Sequence, residues 1–409
     1  MRLLFVADGR SPIALNWIAY FTDQGYEVYL ASTFACSPDL KLAGSYIVPA
    51  AFSEAASGAM NQGGVGANEP ESRGEREAGG MGAGVERVWS ERLRKWVPVG
   101  LRTKIRQWLG PFTLPKASQR LKDVIKQVKP DLIHAMRIPY EGMLAALADP
   151  AAPLLVSIWG NDFTLHAVSN LWMGSLTRRT LYRADAIHAD CQRDIRLAQT
   201  WGFPLDRPYR VLPGGGGVQL NQFYPAEEPP REPLVINPRG LRAYVRNDTF
   251  FQAVPLVLKS YPQARFICPT MAGEAEAQGW AEKLKIENFV ELLPHQTRLQ
   301  MAELFRQSQV IVSPSTHDGT PNTLLEAMAC GCFPVVGDIE SLREWITPGV
   351  NGLLVDPGDP QALADAIVLG LEHPGLRRRA ATHNYHLVEE RAEYHKSMQA
   401  AELFYRSIH

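Results

Sequence analysis

Apolar residues in this chain come in short, nearly unbroken runs, separated by stretches of helical period. RLLFVA at 2–7 shows no polar alternation, as expected of a strand buried on both faces, and PIALNWIAYFTDQ at 12–24 repeats its apolar positions at helical spacing. Gly25 stops that helix and EVYLAS begins a second strand. Strand, helix, glycine, strand is the opening of a doubly wound α/β domain. The alternation continues through LKDVIKQVKPDLIHAM, MLAALA, PLLVSIWG and LTRRTLYRADAIHAD, then breaks at PGGGG (213–217) and PAEEPPREP (225–233). Beyond the break, LVINPRG, ARFICPT, FVELL, QVIVSPS, FPVVGD and GLLVDP predict a second parallel sheet. The pattern therefore predicts a first domain over 1–218 and a second over 231–375, with a ligand cleft between them. A long final helix, roughly 376–408 of the last segment 376–409, is expected to pack back on the first domain.

Two segments depart from this rhythm. Residues 53–86 hold nine glycines and no aromatic residue, too little apolar surface to offset ordering, and are expected to be a disordered insertion. ERLRKWVPVGLRTKIRQWLG at 91–110 follows, with six basic residues against one acid and with Trp96 and Trp108 interleaved. It reads equally as a helix resting on anionic lipid and as a solvated helix whose tryptophans pack on the domain.

Composition narrows the function. A chain of 409 residues exceeds one ordinary core, and a net charge of −1 gives no global electrostatic case for nucleic acid. The five scattered cysteines match no zinc spacing and read as reduced core thiols of a cytosolic protein. The apolar run at the N-terminus is too short for a signal peptide, and no run reaches the roughly 18 residues of a membrane span. ADGRSP carries one glycine where a dinucleotide fingerprint needs three, which disfavours a nicotinamide enzyme.

The chemistry concentrates in SPSTHDGTPNTLLEAMACG, residues 313–331, where a buried strand runs through a loop into a helix. Thr320 is placed to cap that helix and Pro321 to occupy its first position. The amides near Asn322, Thr323 and Leu324, together with the helix dipole, then make a phosphate site at the mouth of the cleft. Glu326 stands five residues past Pro321, about 7.5 Å along the axis, roughly a phosphate-to-ribose span. It shares a face with Thr323 and can accept bonds from two ribose hydroxyls. Asp318, ahead of the helix, would reach past the diphosphate to the group it carries. The bland alternative is a capping Asp and a surface Glu. No Asp-x-Asp pair stands near a strand end, so no metal is expected at the centre, and His134 and His188 read as satisfied core histidines.

DGTPNTLLEAMACG and PGVNGLLVDPGDPQALADAI resemble the donor signature of the family-four retaining glycosyltransferases (glycosyl transferases group 1), whose fold is GT-B: two Rossmann-like doubly wound domains facing a central cleft. The resemblance implies that Glu326 binds the ribose and that Asp318, with Gly319 beside it, meets the donor sugar; the family's usual residue at position 318 is Glu. INPRGLRAYVRNDTFFQAV resembles the family's basic pair, which implies Arg239 and Arg246 as the diphosphate clamp, with Arg242 as an alternative partner. Solvated charge is the competing reading of these arginines. VSIWGNDF resembles the first-domain motif that faces the sugar. Trp159 replaces its His and Asp162 keeps the acid, with Asn161 between; Asp162 reads nearly as well as a turn residue. ADGRSPIALNW resembles the family's first loop and implies Arg10 and Ser11 near the cleft on the acceptor side.

The resulting expectation is a retaining, metal-independent transferase needing no cofactor. It would move a sugar from a nucleoside-diphosphate sugar to the hydroxyl of a glycan or lipid-linked acceptor in envelope polysaccharide or glycolipid assembly, with peripheral membrane contact through 91–110. A non-catalytic sugar-nucleotide-binding partner and a GT-B epimerase are the alternatives.

Overall fold

The structure, a computed structural model, describes residues 1–51, 53, 99–242 and 244–408. The expected insertion at 53–86, Ser53 aside, and the first part of the basic tryptophan stretch lie outside the described residues.

Among the described residues the chain forms two parallel sheets. The first has seven strands, β1 (Arg2–Ala7), β2 (Glu27–Ser32), β3 (Gly44–Ile47), β4 (Leu132–Ala135), β5 (Leu154–Ile158), β6 (Ala186–Ala189) and β7 (Tyr209–Val211), in the order β3-β2-β1-β4-β5-β6-β7. The second has six, β8 (Leu234–Ile236), β9 (Arg265–Cys268), β10 (Val290–Leu292), β11 (Val310–Ser313), β12 (Phe333–Gly337) and β13 (Leu353–Val355), in the order β10-β9-β8-β11-β12-β13. The central strands are apolar because helices cover both faces of each sheet: every residue of β4, β5, β6, β11 and β12 is buried. The edge strands β3 and β7 (GSYI and YRV) are short and largely exposed, so no apolar run announces them.

The expected single final helix is two, Pro374–Arg391 and Tyr394–Ile408. The break is a strand-like exchange with the interdomain connection: Val218 N–H donates to Ala392 O at 2.7 Å and Tyr394 N–H donates to Val218 O at 3.0 Å. The second helix then buries Tyr394, Met398, Ala401, Phe404 and Tyr405 with Leu3, Phe5 and Trp17 of the first domain. Tyr405 stacks on Phe21 with ring centroids 4.5 Å apart and accepts from Trp17 Nε1 at 2.8 Å. His134 and His188 both bond Ser157, and burial lowers the pKa of each, so they are neutral core groups. All five cysteines are free thiols.

The consequence for function is directional. β1, β4, β5 and β6 of the first sheet and β8 and β11 of the second end at the same interdomain cleft, where open α/β sheets place their ligands.

Candidate functional site

The cleft is a cavity of about 350 Å³. Ser11, Arg137, Trp159, Asn161, Asp190 and Gly214 line it from the first domain, and Arg239, Arg242, Tyr244, Asp318, Thr320, Pro321 and Asn322 from the second. The loops after β5 and β11 meet backbone to backbone. A Cβ on Gly160 would stand 1.7 Å from Gly319 N, so no side chain fits at that contact.

On the second-domain side, Arg239 follows β8 and Asp318 follows β11. Arg239 Nη2 donates to Asp318 Oδ2 at 2.7 Å and its Nη1 reaches Thr323 Oγ1 at 3.5 Å. The pair is largely buried, with 11% and 13% of the side chains exposed, and Arg239 Nε is buried with no partner. A buried, unsatisfied guanidinium N–H beside a helix mouth suits an anion that brings its own acceptors.

That helix, Asn322–Ala329, begins differently from the expectation. Pro321 is its N-cap and makes no side-chain cap bond. Thr320 is not the cap, because its hydroxyl donates to Asp190 O at 2.5 Å and accepts from Trp345 Nε1 at 3.0 Å. The Leu324 amide is also taken, by Pro321 O at 3.0 Å, which leaves the Asn322 and Thr323 amides at the helix mouth. Glu326 lies one turn in, among buried Leu324, Leu325 and Met328. Burial raises its pKa to about 7, against the lowering effect of Arg298, whose Nη2 is 3.7 Å from Oε1.

Gly319, Thr323, Leu324 and Glu326 stand behind the cavity wall, and three further expected residues, Arg246, Arg10 and Asp162, are tied to other side chains away from it. Arg246 does not line the cavity: Nε and Nη2 make a two-pronged bond to Asp248 at 2.8 Å each, at the start of helix Asn247–Ser260. Arg10 turns back onto Asp8 at 3.0 Å and lies 3.5 Å over the Phe34 ring. Ser11 lines the cleft as the N-cap of helix Pro12–Asp23. Asp162 is wholly buried: it accepts from the amides of Trp159 and Ile138 and from Arg137 Nε at 2.9 Å. Its carboxylate therefore fixes the Trp159 loop. Arg242 is exposed at the cleft edge, held by Arg239 O at 3.0 Å.

Sequence reasoning missed the first-domain charges. Arg137, just past β4, bonds both Asp162 and Asn161 Oδ1, the latter at 2.6 Å. Asp190 follows β6 directly and presses against Gly319. Arg193 bonds Asp194, Gly160 O at 2.7 Å and Ser341 Oγ at 3.1 Å, while Ser341 in turn donates to Asp318 O. Glu344 of the second domain accepts from the amides of Gln192 and Arg193, capping first-domain helix Gln192–Thr200. These contacts latch the domains together. Asp190, Cys191 and Asp194 bring ligand-type atoms within 4.8 Å of one another, but the Arg193 guanidinium already occupies Asp194 Oδ1. The one sequence signal for Asp190 was its place at the carboxyl end of a buried strand.

Comparison with known proteins agrees with this layout. The family described as "Glycosyl transferases group 1" matches residues 220–386, and the one described as "Glycosyl transferase 4-like domain" matches 13–215. The chain is 28% identical over 221 residues to a D-inositol 3-phosphate glycosyltransferase of Xylanimonas cellulosilytica, covering 48% of this chain and 51% of that protein. The chain thus spans about half the length of that relative. It is 26% identical over 302 residues to the GDP-mannose:cellobiosyl-diphosphopolyprenol alpha-mannosyltransferase of Xanthomonas oryzae, covering 70% of this chain and 75% of that protein. Among solved structures it is similar to Anabaena HepE in complex with UDP-glucose, with a TM-score of 0.69, 16% identity and full coverage of both chains.

Proposed function

This chain belongs to the family-four glycosyltransferases of the GT-B fold, and from that premise we propose that it is a retaining, metal-independent transferase taking a nucleoside-diphosphate sugar as donor. The observation that carries this reading is Arg239, buried between Asp318 and Thr323 with its Nε unpartnered at the mouth of helix Asn322–Ala329. The diphosphate takes the Arg239 guanidinium and the Asn322 and Thr323 amides, and Arg242 closes over it from the cleft edge. These groups stabilise the charge that develops on the leaving group, the task a metal performs elsewhere. Glu326 accepts from the ribose hydroxyls, and Asp318 meets the donor sugar.

In the transfer, the bond from the anomeric carbon to the leaving phosphate oxygen breaks. The acceptor oxygen bonds the same face, and its proton passes to the departing diphosphate. Closure of the Gly160 and Gly319 loops excludes water from this step.

The acceptor side supports a lipid-linked substrate. Trp108, Leu109 and Phe112 from one segment and Leu171 and Trp172 from another are all exposed, and the Phe112 and Trp172 rings lie 6.0 Å apart. Lys104, Arg106, Arg178 and Arg179 are exposed on the same two segments, which suits an anionic membrane face. No helix among the described residues is long and apolar enough to cross a membrane. A polyprenol-linked glycan at the cytoplasmic face is the acceptor class, as the name of the Xanthomonas relative gives for that enzyme.

The test is a calorimetric titration of UDP, GDP and ADP, with and without magnesium, on the protein and on Glu326→Ala. Micromolar binding of one nucleotide, insensitive to chelator and lost in the variant, is expected. Absence of binding by a folded sample overturns the reading.

A further inference from the structure

Arg298 stands where three parts of the chain meet. It opens helix Arg298–Gln307 of the second domain. Its Nη2 lies 3.7 Å from Glu326 Oε1, and its Nη1 donates to Asn16 Oδ1 at 2.9 Å. Asn16 belongs to helix Pro12–Asp23 of the first domain, so one guanidinium joins the carboxylate assigned to the ribose to the opposite half of the molecule. Asn16 is itself fixed from two further sides. Its Nδ2 donates to Gly215 O in the interdomain glycine run, and its backbone oxygen accepts from the Tyr394 hydroxyl at 2.9 Å. Neither Arg298 nor Asn16 lines the cavity.

Glu326 relies on this partner. Its side chain is 15% exposed, and burial opposes its charge while Arg298 favours it. Helix Pro374–Arg391, β11 and β12 pack on the same helix, and among the described residues they bring no charged group to bear on Glu326. The Cys330 thiol at the end of its own helix stays neutral, its pKa pushed up to about 12 by burial. At 3.7 Å the Arg298 contact is an ion pair and not a hydrogen bond, so it supports the charge and leaves both carboxylate oxygens free to accept.

Resting on the donor reading above, we infer that Arg298 is a positioning residue for the ribose carboxylate, held in place from the first domain by Asn16. With the domains together, Asn16 keeps the guanidinium beside Glu326. With the domains apart, the tether is lost and Arg298, 40% exposed, turns to solvent. The first domain thereby strengthens nucleotide binding through a residue outside the cavity.

The test is a pH series. UDP, and GDP beside it, are titrated from pH 5 to pH 9 into the full chain, Arg298→Leu, Asn16→Ala and the double variant. The nucleotide's own titration is the same in all four. An opposite charge this close moves a carboxyl by about one pH unit or more, so the binding midpoint is expected to rise from about 7 to about 8 in Arg298→Leu. Affinity at pH 7 then falls about fivefold, and returns to within about twofold of wild type at pH 9. Asn16→Ala should move the midpoint the same way by about half as much. In the Arg298→Leu background it should move it no further, because it acts through Arg298. A merely structural Asn16, tying Gly215 alone, would lower the melting temperature and leave the midpoint in place, which overturns the link to the first domain. So does an Asn16→Ala shift that persists undiminished in the double variant. A midpoint unmoved in Arg298→Leu overturns the positioning role while leaving the donor site standing. A wild-type protein that binds neither UDP nor GDP overturns the donor reading itself.

Discussion

Arg239 and Asp318 form an ion pair of 2.7 Å at the base of the cleft, so the residue assigned to the diphosphate is held by the one assigned to the sugar. Asp318→Asn releases the guanidinium and removes a carboxylate that repels phosphate. Nucleotide affinity is therefore expected to stay level or tighten, while turnover falls by about 100-fold, the scale for losing one charged contact to a reacting group. Arg239→Lys cannot reach Asp318 and phosphate with one fork and should weaken nucleotide binding about tenfold or more. Calorimetry and initial rates on the two variants separate these effects. If both variants lose affinity alike, the division of labour between them is wrong.

Much of this site was legible in the chain because local chemistry specifies it. A loop, a proline and an amphipathic helix place Asp318, Asn322, Thr323 and Glu326 within nine residues, and helical geometry fixes the spacing of the last three. Most of what was not legible depends on contacts distant in sequence. Thr320 has the chemistry of a cap, yet its hydroxyl is taken by Asp190 O across the cleft and by Trp345 Nε1 of its own domain. Arg246 has the chemistry of a phosphate clamp, yet Asp248 two residues on holds it at the start of the next helix. Asp190 and Arg193 carry no motif at all, and become visible only where the carboxyl end of β6 meets Gly319. The two-helix C-terminus was hidden for the same reason, since Val218 makes the break from 174 residues away.

Closure has its own test at Gly160. A Cβ there would meet the Gly319 backbone at 1.7 Å and 2.1 Å, and backbone cannot yield as a side chain can. Gly160→Ala leaves both cores untouched, so stability should change by only about 1 kcal/mol. The domains must part, however, and strain the bonds from Arg193 to Gly160 O and Ser341 and from Glu344 to Gln192 and Arg193. Small-angle scattering should show a larger radius of gyration, and transfer should fall about 100-fold or more because the two halves of the site no longer meet. Wild-type scattering together with wild-type turnover would show that the contact is incidental.

The aromatic patch predicts a lipid dependence. Trp108→Ala combined with Trp172→Ala removes the two largest exposed rings of the patch and should abolish co-sedimentation with anionic phosphatidylglycerol vesicles. Lys104 and Arg106 contribute about 1 kcal/mol each near such a surface, so wild-type binding should weaken steeply with salt and be absent for neutral phosphatidylcholine. Equal binding to neutral and anionic vesicles would contradict the electrostatic half of this argument.

Glu326 couples stability to ligand through pH. Its pKa is raised from the ordinary 4.5 to about 7 because burial penalises the charged form more than Arg298 relieves it. A carboxyl raised in this sense favours the folded state below pH 4.5, and that contribution fades as pH climbs through about 7. By pH 8 it amounts to about 3 kcal/mol lost from the unliganded protein. A neutral carboxyl carries a proton on one oxygen and only the ionised form accepts strongly from both ribose hydroxyls, so nucleotide binding runs the other way: weaker below pH 6, rising through pH 7 and level above pH 8. Glu326→Gln should flatten both profiles. It should be more stable than wild type at pH 8, and bind nucleotide about tenfold less tightly there through loss of the charged acceptor. Denaturation and nucleotide titrations at pH 5, 6, 7 and 8 give both curves. A wild-type affinity that does not vary over that range, in a protein whose Glu326→Gln variant still binds weakly, would mean that Glu326 meets the ribose already charged and that burial does not govern its ionisation.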